Sequence, residues 1–315
     1  MSRTLVLGAN GFIGSHLVDS LSSAGHIVRA FDRFSSGRAV FNQHENVEIF
    51  AGDYLNKNDL ENALKDVEYV FHFISTTTPA SVENDPKVDI ETNIRMSVEL
   101  FGLCVKAGVK RVIFASTGGT VYGSPLNDEP HKETDTPFPV SPYAIGKLTI
   151  EHYLRYFRVK HHLDSVTFRI SNPYGERQPF HRKQGVIPIF LENISRNLPI
   201  NVMGDGSMVR DYIYIKDLTD IIAEVFEKPV KHHTYNLGSG EGKTVNEIVA
   251  TIERVTGKEF VIEHKEVPST FLPKVVLDTS RFVEEFNFKP KTELTEGVAL
   301  TYEYIKQEIE HEDKL

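Results

Sequence analysis

The sequence predicts an α/β protein: a doubly wound parallel sheet in the first half and a smaller C-terminal α/β lobe after it. Three observations carry this. Apolar strand-like runs alternate with amphipathic helical stretches through residues 1–171, and the connections between them are short. The rhythm then breaks near Ser171, where prolines and glycines crowd Asn172-Pro-Tyr-Gly175, Gln178-Pro179 and Pro188. Strand–helix–strand repetition with short links calls for crossover helices on both faces of a parallel sheet. The chain therefore divides into 1–171 and 172–315, an approximate boundary because the chain is expected to cross between the two lobes more than once.

In order, strands are expected at 4–7, 27–31, 47–50, 69–73, 111–115 and 165–170, each an apolar run rich in β-branched or aromatic residues. Helices are expected at 13–24, 59–64, 88–107 and 143–159 from their amphipathic spacing. A last helix starts near residue 294, and the charged end 306–315 is expected to fray. There is no internal repeat and no low-complexity tract.

The chain has 315 residues, 40% of them hydrophobic and 25% charged, enough to bury a full core. Its net charge of −9 argues against a general nucleic-acid or anionic-membrane surface, though not against a local basic pocket for a phosphorylated ligand. The single cysteine, Cys104, sits in an apolar helical pattern and reads as a small buried hydrophobe; one cysteine allows no disulfide within the chain. The first strand is not preceded by a signal-peptide pattern and no apolar run reaches spanning length, so a cytoplasmic enzyme without membrane insertion is expected. His72 reads as a packed core residue. His181 and the pair His161-His162 show no metal spacing, and no metal site is expected.

Gly8-Ala-Asn-Gly11-Phe-Ile-Gly14 follows the first strand directly and opens a helix. Glycine lets the backbone turn tightly and approach a pyrophosphate, and a helix N-terminus offers free N–H groups to the anion. In this strand–turn–helix context the pattern predicts a Rossmann-type dinucleotide site made by Gly8, Asn10, Gly11, Phe12, Ile13 and Gly14. Asp32 ends the second strand, where an acidic side chain accepts both ribose hydroxyls and repels a 2′-phosphate, favouring NAD over NADP. Arg33 next to it reads as solvated. Asp53, after the third strand, is placed for the adenine edge or for a turn.

Tyr143-Ala-Ile-Gly-Lys147 puts a phenol and an ammonium on one helix face. A cation near the phenol and a bound nicotinamide lower a pKa that starts at about 10. Tyr143 is thus a candidate general base against an alcohol or sugar hydroxyl.

Together, Gly8–Gly14, Asp32, Gly52-Asp53, Phe71-His72, Asn93, Ser116–Gly123, Tyr143 and Lys147, Arg169–Gly175 and Val209–Asp217 identify a resemblance to the extended short-chain dehydrogenase/reductases. Within them the nucleotide-sugar epimerases are the nearest type, and the resemblance spans nearly the whole chain. It implies a hydride shuttle. Tyr143 takes a proton from the sugar hydroxyl, NAD accepts the hydride, and the 4-keto sugar turns and is reduced on its other face. Lys147 holds the nicotinamide ribose and tunes Tyr143. Asn172 is expected at the substrate diphosphate and Arg210 at the nucleotide phosphates. A homodimer through helices 88–107 and 143–159 is also implied.

Two departures stand out. The family's Ser or Thr, four residues before the tyrosine of Val121-Tyr-Gly123, is here Gly118, so Thr117 is expected to supply the hydroxyl, with Ser116 or a water as the alternative. The segment Val267-Pro-Ser-Thr-Phe-Leu-Pro273 lacks the family's second phosphate-binding arginine, with Lys274 as a possible stand-in. Gly119 and Thr120 replace the acids that dehydratases and decarboxylases need, which favours epimerisation. The alternatives are a reductase or dehydrogenase of the same fold, a decarboxylase or dehydratase, and a noncatalytic NAD-binding protein. The hydroxyls of Ser75-Thr-Thr-Thr-Pro79 read equally as ligands or as turn caps.

Overall fold

The computed structural model describes residues 1–83, 85–124, 128–179, 185–267 and 272–312. Its strands are β1 (Arg3–Leu7), β2 (Ile27–Asp32), β3 (Val47–Ala51), β4 (Tyr69–His72), β5 (Arg111–Thr117), β6 (Asp164–Ile170), β7 (Asn172–Tyr174), β8 (Ile200–Met203), β9 (Val209–Tyr214), β10 (Thr234–Leu237), β11 (Gly242–Thr244), β12 (Ile262–Lys265) and β13 (Lys274–Val275). Its helices are α1 (Phe12–Ser23), α2 (Lys57–Ala63), α3 (Pro79–Val82), α4 (Lys87–Asp89), α5 (Arg95–Ala107), α6 (Pro142–His161), α7 (Val186–Ser195), α8 (Ile215–Val225), α9 (Val245–Thr256), α10 (Ser280–Phe286) and α11 (Leu294–Glu312). A π-turn, Ile90–Ile94, joins α4 to α5 into one irregular helix.

Seven strands form a parallel sheet in the order β10-β6-β5-β4-β1-β2-β3. The order reverses beside β1, between β4 and β2, and open sheets of this kind bind ligands at that switch, outside the carboxyl ends of the strands. The six expected strands and four expected helices appear with their ends within two residues of the sequence reading.

Alternation along β1 fixes two cores, as a sheet covered on both faces requires. Val6 packs with Leu17, Leu21 and Ile222 on one side. Leu5 and Leu7 pack with Leu60, Leu100 and Ile150 on the other. Helix α6 starts where its sequence says it should. Ser141 caps it by accepting from the Ala144 N–H at 3.3 Å, and Pro142 occupies the first turn, where its missing donor costs nothing. That fixes where α6 begins, one residue before Tyr143.

After β6 the chain builds the smaller sheets, in which β9 pairs with β7, β11 and β13, and β12 pairs with β8. It returns once to the main sheet, as β10 beside β6. Among the described residues no helix is long and apolar enough to cross a membrane, and no group of three or more His, Cys, Asp or Glu could hold a metal ion.

Candidate active site

The glycine turn leaves no room for side chains. Gly8 has φ of +86°, and a Cβ there would stand 2.9 Å from the Ile74 Cα; a Cβ on Gly14 would overlap the Gly8 carbonyl oxygen. The Gly8 and Ala9 N–H groups donate to the Phe31 carbonyl at 3.0 and 3.1 Å, which brings the turn against the end of β2. Helix α1 begins at Phe12 with no side-chain cap and no acid in its first turn. Its first N–H groups, from Phe12, Ile13 and Gly14, have no protein acceptor among the described residues, an arrangement that suits an anion.

Asp32 stands beside this turn, accepting from the Asn10 N–H at 3.0 Å and the Arg33 N–H at 2.7 Å. Arg33 is exposed. The Asn10 side chain stitches the following loop to the turn, donating to the Arg38 carbonyl and accepting from the Val40 N–H. Asp53 accepts from the Leu55 N–H at 2.9 Å, a turn-forming contact. These features fit a dinucleotide: a cradle that a Cβ would fill, free helix donors for the pyrophosphate, and a carboxylate at the ribose end.

Tyr143 and Lys147 lie beside the carboxyl end of β5. The Lys147 Nζ donates to the Ala115 carbonyl at 2.9 Å and stands 4.9 Å from the Phe114 ring centre and 5.8 Å from that of Tyr143. Burial pulls the Lys147 ammonium down to about 8, against the raising effect of the Asp89 and Glu151 carboxylates. Burial, and then Asp89, pushes the Tyr143 phenol up to about 12. The sequence reading expected Lys147 to lower it. In the protein alone, desolvation and a nearby anion outweigh the cation.

Thr117 ends β5 with its hydroxyl 3.2 Å from that of Thr120. Ser116, the alternative, is buried and donates to Glu151 at 2.5 Å. The structure also explains Gly118. A Cβ there would overlap the Leu277 side chain and stand 3.0 Å from the Arg169 carbonyl, so Leu277 fills the space a Ser or Thr would need. Gly119 faces open space by comparison, with Thr117 Oγ1 and Asn172 Oδ1 3.8 and 3.9 Å from a Cβ built on it.

On the lobe side, Asn172 donates to the Asp211 carbonyl at 2.8 Å. Arg210 donates to the Val209 and Leu272 carbonyls at 2.8 and 2.7 Å, and burial lowers its pKa. It has no carboxylate partner among the described residues. Lys274 instead pairs with Asp128 at 3.2 Å. The missing-arginine segment falls mostly on 268–271, and His181 on 180–184, both outside the described residues.

Thr78 caps α3 in a box with Ser81, and the buried Thr77 donates to Asp89 at 2.6 Å. His72 is buried with Nε2 2.7 Å from the Ser97 hydroxyl. Sequence reasoning missed Asp89 and Leu277, because neither lies in a motif; their roles come from contacts with α6 and β5.

The model of the family described as NAD dependent epimerase/dehydratase matches residues 4–238. The UDP-glucose 4-epimerase of Mycolicibacterium smegmatis is 34% identical over 96% of this chain and 98% of its own. The dTDP-4-dehydro-6-deoxyglucose reductase of Escherichia coli is 32% identical over 93% and 94%. Among solved structures, the UDP-glucose 4-epimerase of Thermotoga maritima with UDP-glucose superposes with a TM-score of 0.90 at 35% identity, covering 98% of this chain and 99% of that one. The glycine cradle, the Tyr143–Lys147 pair and these likenesses agree: the chain belongs to the NAD-dependent epimerase/dehydratase family.

Proposed function

We propose that the chain is an NAD-dependent nucleotide-sugar epimerase, inverting C4 of a UDP-hexose or related sugar through a transient 4-keto sugar. One observation carries the reading: the loop over Tyr143 and Lys147 offers a hydroxyl at Thr117 but only Gly119 and Thr120 where elimination or decarboxylation would need a carboxyl group. The likeness to two UDP-glucose 4-epimerases along almost the whole chain supports it.

In this reading Tyr143 takes the proton from the sugar hydroxyl and later returns it. Lys147 favours the phenolate with its charge and holds the nicotinamide ribose, and Thr117 donates to the reacting oxygen. Bound NAD supplies hydride acceptance and return, so turnover needs no net redox. The Gly8–Gly14 turn holds the pyrophosphate, Asp32 the adenosine ribose and Asp53 the adenine edge. Asn172 and Arg210 hold the substrate diphosphate; the desolvated guanidinium, with no carboxylate partner among the described residues, supports that assignment. Residues 1–171 form the NAD domain and 172–315 mainly the substrate lobe. The single cysteine, buried and unpaired, supports a cytoplasmic setting, and the exposed apolar residues of α6, with Val88 and Ile90 ahead of α5, support a homodimer.

A panel of nucleotide sugars incubated with the purified protein, without added NAD, tests this. A stereoisomer formed with no net change in nicotinamide absorbance is the expected result. The 32% identical reductase makes net reduction the second reading. Turnover only with stoichiometric NAD(H) would replace the first with it, and no product from any sugar despite bound NAD would point to a binding protein.

A further inference from the structure

A buried carboxylate stands behind the catalytic pair with no role in the proton–hydride chemistry. Asp89 is 4% exposed and lies on the helix 87–107. Its Oδ1 accepts from the Thr77 hydroxyl at 2.6 Å and from the Asn93 side-chain amide at 2.7 Å. Asn93 in turn donates to the Thr77 hydroxyl at 2.8 Å, so three buried side chains lock one another. The π-turn at Ile90–Ile94 follows directly, carrying Asn93 to the same inner side as Asp89. The other oxygen, Oδ2, abuts α6 at Gly146, one of the three residues between Tyr143 and Lys147, where a Cβ would overlap it. Asp89 and Lys147 both line a cavity of about 10 Å³, with His72, Ile74, Asn93, Gly146 and Ile150 around it. That space holds one water at most. A buried carboxylate costs several kcal/mol unless a cation answers it, and Lys147 is the cation that shares its cavity.

We propose that Asp89 is a positioning residue of the active site: from behind Gly146 it holds α6 in register and serves as the buried countercharge that keeps Lys147 protonated while Tyr143 cycles. Gly146 is the opening that permits this approach. The titratable groups facing the pair are Asp89 from the helix 87–107, His72 from β4 and Glu151 from α6. Burial holds His72 down at about 3, so it stays neutral, and Glu151 is taken up by Arg169 at 2.7 Å and by Ser116. Among the described residues that leaves Asp89 as the carboxylate facing Lys147 without a cation of its own, with Glu151 a smaller influence.

The sign follows from charge. Asp89 favours the ammonium of Lys147 and disfavours the phenolate of Tyr143, so its removal moves both ionisations to lower pH. The proposal takes the epimerase reading for its kinetic test only. With NAD bound, Asp89→Asn should shift both limbs of the pH–rate profile acidward by about one pH unit or more. Lower activity with unmoved limbs would overturn the proposal, since a merely structural defect lowers the plateau alone. A second readout needs no turnover. In protein with ¹³C-labelled lysine, the Cε signal absent from Lys147→Met identifies Lys147, and in Asp89→Asn it should titrate at lower pH. An unchanged titration overturns the proposal whatever the substrate proves to be. Gly146→Ala, which pushes the carboxylate away while leaving it charged, should give the same direction of shift if Asp89→Asn fails to fold, and no shift would again overturn it.

Discussion

Burial holds the Tyr143 phenol up at about 12 and the Lys147 ammonium down at about 8, so in the protein alone the phenol keeps its proton at neutral pH and a cationic ligand is needed to favour the phenolate. Tyr143→Phe deletes the proton acceptor and should lower conversion by ~10²–10⁴-fold, with NAD still carried through purification; conversion within tenfold of the parent, measured by product chromatography, would remove the role. The loop before it can be tested for packing. Gly118→Ser forces a side chain into Leu277 and should cost ~1–3 kcal/mol. Leu277→Ala alone should cost ~2–5 kcal/mol by leaving a cavity. If the two side chains compete for one space, the double variant is less destabilised than the sum, by thermal or denaturant unfolding; simple additivity would mean they do not. The glycine turn, Asp32 and the Tyr143–Lys147 spacing are legible in sequence because each acts through near neighbours in the chain. Leu277 is not, because its effect on Gly118 exists only after the lobe folds back onto β5.

At the scale of elements, the ends of β5, β6, β10 and α6 are tied by a buried polar network. Glu151 grips Arg169 with both oxygens, at 3.1 and 2.7 Å, and accepts from Ser116; Arg169 donates to the Tyr122 hydroxyl, which donates to Asn236. Breaking such a pair leaves an uncompensated buried charge, so Glu151→Gln should cost ~3–5 kcal/mol. The same network explains why β10 escapes a reading of the sequence: Thr-Tyr-Asn-Leu looks like a polar loop, yet Asn236 is fully buried because His131 and Asp278 carbonyls accept from its amide. The first six strands were legible because their apolar runs bury themselves without such help. Acid stability belongs here too. His72 on β4 and His16 on α1 are held by burial at about 3 and about 4, below an ordinary 6.5, so both stay neutral in the folded chain. Their contribution is full above pH 6.5 and is lost as pH falls toward those values, because the unfolded chain takes up the protons first. Between pH 7 and 5 the two together should cost ~4 kcal/mol. Denaturant unfolding should show this decline, and His72→Asn should flatten it; an unchanged slope would assign the acid sensitivity elsewhere.

For the whole molecule, the open question of assembly turns on one surface. Ile145, Tyr153, Tyr156 and Val159 recur along one face of α6, and Val159 is 74% exposed. Val88 and Ile90 are exposed on the helix 87–107, which packs beside α6. Single exposed apolar residues are ordinary, but a stripe at helical spacing on one helix, flanked by two more on its neighbour, is the kind of patch that a partner covers. A second copy offering the same two helices would bury this patch in an isologous contact. That contact would lie against the outer side of α6, while Tyr143 and Lys147 work from its inner side, so dimerisation would also stiffen the helix that carries the chemistry. Tyr156→Glu with Val159→Glu puts two carboxylates per copy into this surface without touching the Gly8–Gly14 cradle. Light scattering should give twice the chain mass for the parent and the chain mass for the variant, with bound NAD retained. A variant that keeps the dimer mass, or a parent that never reaches it, would move the interface away from these helices.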